Sequence, residues 1–384
     1  MKLFKSLLVA PATLGLLAPL SATANELNLN DVSGYSSSEE IQNISEFNPA
    51  EELAVTNSRV DGLEARFNNF EAGGFSETTT ASFSADAVIG AIDGDTTTEA
   101  TVFEYQFNIG LSTSFTGEDS LDIAIDSGSD AAATSSNPMA LDTGASLSVD
   151  GVAYSFPLGG TTMVVGSDTD ISATFTGACS YSAFTDYMGD CGTGNSIGVG
   201  GSGVTATVGY AFDSGFSLAG GISGDDTEIV SGSTVSDGLF TKEGTDIYAI
   251  EAAYTADSYG VAVAYVSDDG GTGAETTYWG INGTYSFDLA SLSVGYETSE
   301  KSGTDESGYF VGLTFPEVGP GSVSIGAATK GNFADNVSEL MIYEASYSYS
   351  VNDGLTITPG VFIQETAAGS DDLTGVLVKS SFSF

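Results

Sequence analysis

From Phe75 to the C-terminus, large apolar residues recur at every second position over short stretches. In Phe103-Glu104-Tyr105-Gln106-Phe107-Asn108-Ile109-Gly110-Leu111, each odd position is apolar and each even one is polar or glycine. The same register returns at Leu121, Ile123 and Ile125, and at Tyr259, Val261, Val263 and Tyr265. It recurs at Tyr309, Val311, Leu313 and Phe315, and at Leu355, Ile357, Val361 and Ile363. A two-residue period sets alternate side chains on the two faces of a strand, whereas an amphipathic helix needs about 3.6. The chain after residue 75 therefore reads as all-β.

Connection lengths separate a barrel from a sandwich. Tight turns are expected near 117–119, 158–160, 213–215, 257–258, 287–289, 316–320 and 351–354. Between them lie polar, acidic loops near 93–98, 128–144, 176–196, 224–244, 268–275, 299–306, 331–337 and 367–371. This strict alternation predicts a transmembrane antiparallel β-barrel of about 16 strands with both ends on the turn side. The last strand, 375–384, carries Val376, Val378, Phe382 and the terminal Phe384 on one face. Aromatics such as Phe103, Tyr105, Tyr254, Tyr259, Tyr278, Trp279, Tyr285, Phe287, Tyr343, Tyr347 and Tyr349 stand near strand ends, as two interfacial girdles would require. The competing architecture is an exported acidic β-rich surface protein or adhesin, in which nothing demands alternating connections.

Composition narrows function. The chain has no histidine, which excludes Ser-His-Asp and Cys-His catalysis and His-ligated metals, so no enzyme and no cofactor are expected. A formal net charge of -44 repels phosphate and argues against nucleic acid as a partner. Gly198-Val199-Gly200-Gly201-Ser202-Gly203 satisfies a dinucleotide-binding pattern literally, yet it leads into a strand rather than a helix.

Residues 1–24 read as a signal peptide, with Lys2 and Lys5 before an apolar core and Ala22-Thr23-Ala24 as the cleavage site. Residues 25–50 read as a polar periplasmic linker. In 51–74, Leu53, Val60 and Phe67 recur seven apart, as do Thr56, Leu63 and Phe70, giving a short coiled coil with Leu53, Val60, Leu63 and Phe67 on its seam. Three heptads containing Gly62 are too little for a lone helix, so the segment either oligomerises or docks as an amphipathic helix. Cys179 and Cys191, in an exported chain, are expected to close a loop as a disulfide, with two free thiols as the alternative.

Three stretches carry a resemblance. They are the leader 1–19 with Glu26-Leu27-Asn28, the run Arg59-Val60-Asp61-Gly62-Leu63-Glu64-Ala65-Arg66 with Phe75-Ser76-Glu77-Thr78-Thr79-Thr80, and 111–121. Together the chain resembles the cyanobacterial outer-membrane porins grouped with carbohydrate-selective (OprB-like) porins and often labelled iron-uptake porins. The resemblance implies an outer-membrane location among lipids, a homotrimer, and passage of small solutes, ions, sugars or iron. That family usually carries a surface-layer-homology (SLH) module between leader and coil. Here only Ile44-Ser45-Glu46-Phe47 looks like its start, so cell-wall polymer binding lacks its module.

If the large apolar residues face lipid, the opposite register lines the pore: Asp86, Glu104, Asp122, Asp126, Glu251, Glu297, Glu344 and Lys379, with Gln106, Asn108 and Gln364. Seven carboxylates against one lysine predict a cation-preferring passive channel. The alternatives are acids that merely solvate the channel while the surplus charge sits in the loops, or a structural barrel without conductance. Asp93-Gly94-Asp95 and Asp168-Thr169-Asp170 offer oxygen ligands for Ca²⁺ but no spaced EF-hand set, and no defined metal site is assigned. Loop 176–196 either folds into the lumen as a constriction or lies on the surface.

Overall fold

The computed structural model describes residues 79–94, 100–129, 141, 144–201, 203–225, 230–231, 234–235, 238–241, 244–271, 273–335, 337–367 and 370–384. The signal peptide, the linker and the coil with Leu53, Val60, Leu63 and Phe67 lie outside these residues.

Sixteen strands close into one antiparallel barrel. In chain order they are β1 (Thr79–Asp93), β2 (Ala100–Thr113), β3 (Ser120–Gly128), β4 (Ser148–Leu158), β5 (Thr161–Ser167), β6 (Val204–Ala211), β7 (Phe216–Gly224) and β8 (Asp246–Thr255). They continue as β9 (Tyr259–Asp268), β10 (Thr276–Ser286), β11 (Ser291–Lys301), β12 (Thr304–Val318), β13 (Gly321–Thr329), β14 (Met341–Asn352), β15 (Leu355–Gln364) and β16 (Leu373–Ser383). Each pairs with its sequence neighbours, and β16 pairs with β1 in the register Asp86↔Ser381, leaving the barrel without a free edge. The Phe83 N–H donates to the Phe384 carbonyl at 2.9 Å and the Phe384 N–H donates back at 3.0 Å, so the C-terminal residue is part of the closure.

All seven expected turns are present at one end of the barrel. One of the shortest, Gly159-Gly160, has φ of 60° and 91°, the doubly left-handed geometry of a two-residue hairpin that glycine adopts without strain. A longer one, Ser114 to Asp119, folds around a carboxylate. Asp119 accepts from the Phe115 and Thr116 amides, the Ser114 hydroxyl and, at 2.6 Å, the Tyr154 hydroxyl. These donors, Tyr154 foremost, hold its pKa well below the usual carboxylate range.

At the opposite end one expectation needs correction. The polar loop expected near 299–306 is only Ser302-Gly303, and β11 and β12 run through the rest as paired strand. Glu300, Asp305 and Glu306 there stand on paired strands, Glu300 opposite Asp305, rather than marking an irregular loop.

Outward positions carry the apolar band. Ile89, Ile250, Val263, Ile281, Val294, Val311, Ile325 and Val361 are all exposed on the outer face. Aromatic pairs flank it, including Tyr254–Tyr259, Tyr285–Phe287 and Tyr265–Trp279. Tyr278 is a second correction: it points inward and packs against Ile171, Val199, Ala249 and Val266.

Candidate functional site

Most of the connection from β5 to β6, residues 168–203, lies inside the barrel. It contains two short 3-10 turns, Ile171–Thr174 and Asp186–Gly192, and buries Ile171, Tyr181, Phe184, Met188, Cys191, Ile197 and Val199. The surface alternative for 176–196 is thereby overturned, and the internal segment is longer than expected at both ends.

Four inward side chains of the wall fasten this loop. Glu251 of β8 accepts from the Thr176 and Gly177 amides, both at 2.7 Å. Asn282 of β10 accepts from the Ala178 amide at 2.9 Å and donates to the Thr193 hydroxyl at 3.2 Å. Glu297 of β11 accepts from the Ser196 hydroxyl at 2.6 Å, the Asn195 amide at 2.8 Å and, from the β13–β14 loop, the Asn332 amide at 3.1 Å. Glu344 of β14 accepts four bonds, from the Phe184 and Thr185 amides at 2.7 Å, the Thr185 hydroxyl at 2.6 Å and the Tyr181 hydroxyl at 2.9 Å. Each glutamate thus fastens the loop through two or more hydrogen bonds, and among the described residues none of the three forms a salt bridge. The Tyr181 pKa is pushed far up, by burial first and by Glu344 second.

These contacts redefine three expected pore-lining residues. Glu251, Glu297 and Glu344 do point inward, but each is only 1–3% exposed, because loop residues cover it. They hold the loop rather than face the passage.

Inward glycines make room for it. A Cβ at Gly280 would meet Ser196 Oγ at 1.9 Å, and one at Gly295 would meet the Cys191 carbonyl oxygen at 1.9 Å. Gly312 and Gly326 admit the Tyr181 ring, and Gly360 admits Phe184. The sequence signal was present: glycine recurs in the inward register of successive strands, where a water-filled lumen would carry polar side chains.

Cys179 and Cys191 form a disulfide with Cα atoms 5.7 Å apart, closing the lobe 180–190. Cys191 packs with Tyr181, Met188, Phe310, Ala328 and Ile342 against the wall.

A second apolar cluster also occupies the interior. Val88, Ile92, Phe362, Leu373 and Leu377 point inward near the loop end and pack with Phe184 and with Leu141 from the β3–β4 loop. The expectation that large apolar residues all face lipid fails here, since two loops bring apolar partners inside.

The remaining wall, β16 through β4, carries the other expected lining residues. Lys379 Nζ lies 3.7 Å from Asp86, which also accepts from the Ser381 hydroxyl. Asp122 accepts from the Ser120 hydroxyl at 2.6 Å and is exposed. Gln106 donates to Asn108 at 3.0 Å. Glu104 and Asp126 are 6% and 7% exposed, the latter accepting from Ser148.

Sequence reasoning missed the exposed face of the loop. Asp170 and Asp186 are exposed there, and Asp190, exposed over part of its surface but with its carboxylate packed against Gly198, has its pKa raised by this partial burial first and then by Asp170 and Asp186. Beside them Lys330 Nζ stands 5.7 Å from the Tyr187 ring centroid, a cation–π geometry, and burial lowers its pKa. Asp170, Asp190, Thr176, Cys179 and Asn282 border a polar hollow of about 270 Å³. Among the described residues, no three of Asp, Glu and Cys gather at metal-binding distance.

No family model and no curated protein matches the sequence. Solved structures do match in fold. OprB of Pseudomonas putida superposes with a TM-score of 0.61 at 13% identity, over 80% of this chain and 94% of that one. A loop-deletion form of OmpT, an outer-membrane protein of Vibrio cholerae, gives 0.56 at 11% identity, over 80% of this chain and all of the other. An anion-selective porin from Comamonas acidovorans gives 0.54 at 12% identity, over 80% and 99%. At such identities the likeness is one of architecture, and what this chain shares with these proteins is the 16-stranded barrel of the porins.

Proposed function

We propose that the protein is an outer-membrane porin: a passive diffusion channel for small hydrophilic solutes that prefers cations. The barrel supports a membrane location, because its outer face is an apolar band between aromatic residues. The observation that carries the cation preference is the acidic face of the internal loop. Asp170, Asp186 and Asp190 sit where a fixed charge acts on anything passing within about 8–10 Å, the Debye length at moderate salt. Asp122 adds to it from the bare wall. Of the three described lysines, Lys379 lies next to Asp86, Lys330 lies next to Tyr187, and Lys301 is exposed at the end of β11. Residues 76–384 hold 42 acidic against 4 basic residues and no arginine, so an arginine ladder facing the acids cannot form. The fold alone leaves the sign of selectivity open, since one neighbour is named as anion-selective.

Reversal potentials across planar bilayers in a KCl gradient test the reading. Cation preference is expected, and anion preference would overturn it. Conductance with competing sugars and iron chelates then reads which solute passes.

A second reading, a structural barrel without conductance, has one observation in its favour: the apolar cluster around Val88, Phe184 and Phe362 inside the lumen. Open-channel conductance of the purified protein ends that reading. We also propose a homotrimer joined through the coil residues Leu53, Val60, Leu63 and Phe67, which cross-linking of the full chain tests against the same chain lacking residues 51–74.

A further inference from the structure

We propose that the Cys179–Cys191 disulfide is a reductant-addressable lock on the constriction, one that a small neutral dithiol cleaves on the folded barrel and whose cleavage widens the passage. Its conductance consequence rests on the channel reading above, and its chemical accessibility does not.

Two features place the lock. The arms that lead into and out of the lobe 180–190 are each fastened to the wall, the first by Ala178 on Asn282 and the second by Asn195 and Ser196 on Glu297, with Asn282 also reaching Thr193 of the second arm. The lobe itself rests on Glu344 through Tyr181, Phe184 and Thr185. The disulfide is therefore not what keeps the loop inside. It joins the two arms at the base of the lobe and fixes how far the lobe stands into the lumen.

The lobe's return also runs through two consecutive non-glycine residues in the left-handed region, Asp190 at φ 49° and Cys191 at φ 55°. Aspartate visits this region comparatively readily, whereas a cysteine there is uncommon and is held by its surroundings. The Cys191 carbonyl is pressed against Gly295, and its sulfur is bonded to Cys179, so both sides of the residue are held. Cleaving the bond frees one side. Asp190 carries one of the three exposed loop carboxylates, and relaxation at 190–191 moves that charge together with the lobe.

The two sulfurs differ in access. Cys191 is fully buried, whereas Cys179 is partly exposed and borders the 270 Å³ hollow. One thiol of the reagent, as thiolate, attacks Cys179 Sγ and expels Cys191 as a thiolate, which takes up a proton. The reagent's second thiol then attacks its own sulfur in the mixed disulfide and releases Cys179 as the second thiol. The dithiol leaves as a cyclic disulfide, and its two electrons and two protons end on Cys179 and Cys191. Asp170 and Asp190 line the same hollow and repel anionic thiols, so a neutral dithiol is favoured over glutathione.

The experiment uses the purified, detergent-folded full chain, whose barrel is monitored by heat-modifiable gel migration. Dithiothreitol or glutathione is added at equal thiol concentration, new thiols are alkylated and counted by mass, and single-channel conductance is recorded before and after, then again after reoxidation. The expected result is two alkylated thiols in a still-folded barrel, formed roughly tenfold faster with dithiothreitol, an advantage that shrinks in high salt. Conductance is expected to rise about 1.5- to 2-fold with weaker cation preference, and to return on reoxidation. A Cys179→Ser/Cys191→Ser variant should behave as the reduced channel does.

Two results overturn the proposal: thiols that appear only after the barrel is unfolded, or two thiols in a folded barrel with conductance unchanged. A protein silent in the oxidised state fails the channel reading on its own, and thiol formation in the folded barrel still decides whether the lock can be reached.

Discussion

The barrel's inner wall has two regions made from the same alternating strands. From β5 to β15 the wall is covered by the internal loop, and its carboxylates Glu251, Glu297 and Glu344 are spent on loop amides and hydroxyls. From β16 to β4 the lining is less covered, and Asp86 and Asp122 meet lysine and serine instead. Residue type and register are the same in both regions, yet Glu251, Glu297 and Glu344 are bonded under the loop while Asp122 is exposed to the lumen, with Glu104 and Asp126 buried in the same wall. Glycine stands opposite two of the covered acids, Gly280 across from Glu297 and Gly326 across from Glu344, whereas Glu251 faces Ala219 and Ala264. Gly280, Gly295, Gly312 and Gly326 lower the covered wall enough for a second layer of chain to reach the glutamates.

The largest effect that can break this contrast is at Glu344. Truncation in Glu344→Ala removes four acceptor bonds and leaves the Tyr181 hydroxyl and the Phe184 and Thr185 amides buried without their partner. Each orphaned donor costs about 1–3 kcal/mol, so the loop is expected to leave the wall while the barrel persists. Limited proteolysis between 180 and 190 checks this, with a rise in channel noise as the companion signal. Asp122→Ala on the less covered wall should leave the loop as protected as in the parent. Equal protease sensitivity in the two variants would show that the regions do not differ in kind.

Next in size is Gly295→Ala. The new methyl group meets a backbone carbonyl, that of Cys191, which cannot rotate aside as a side-chain tip would. Overpacking of this kind typically costs about 1–3 kcal/mol, and it should displace the return arm of the loop. Slower disulfide closure on refolding, or a changed single-channel conductance, would register it. Gly283→Ala is the control, since Gly283 faces outward and its nearest neighbour is the Gly260 carbonyl oxygen at 3.2 Å, far less tight.

These two sites also show how much was legible from sequence. Strand number, turn positions, closure and the outward band all follow from local alternation and turn chemistry, which the chain carries in runs of ten residues. The covered wall did not follow, because Glu344 and Tyr181 are 163 positions apart and nothing local pairs them. Register correctly placed Glu251, Glu297 and Glu344 inside, but it cannot say whether an inward carboxylate meets water or a backbone amide. Phe310, Phe362 and Leu377 were unreadable for the same reason: their apolar partners arrive on loops. The Gly280 to Gly360 series was the available clue, and it looked like general glycine abundance until the loop filled it.

A smaller effect is expected from the exposed loop acids. Neutralising Asp170, Asp186 and Asp190 together to Asn leaves the fasteners untouched and removes three charges from the passage. The cation-to-anion permeability ratio should fall by about threefold at low salt and less at high salt, where screening has already weakened it. The triple substitution Glu251→Gln, Glu297→Gln and Glu344→Gln should instead change protease resistance more than permeability. If the buried glutamates control selectivity and the aspartates do not, the division of the wall proposed above is wrong.

The smallest effect is the pH dependence of Asp190. Burial, helped by Asp170 and Asp186, raises its pKa above the ordinary carboxylate value, so on acidification it takes up a proton before an unperturbed carboxylate would. Its charge is therefore lost as pH falls through the raised value, and part of the cation preference goes with it while most exposed acids are still ionised. Reversal potentials between neutral pH and about pH 4 should show a shallow first decline above the main carboxylate titration, and Asp190→Asn should remove that step. The raised pKa also means that ionised Asp190 works against the folded loop at neutral pH. Mild acid is accordingly expected to tighten the lobe slightly even as selectivity weakens, with protease resistance and cation preference moving in opposite directions. A decline that survives in Asp190→Asn would assign the early step to a group other than Asp190.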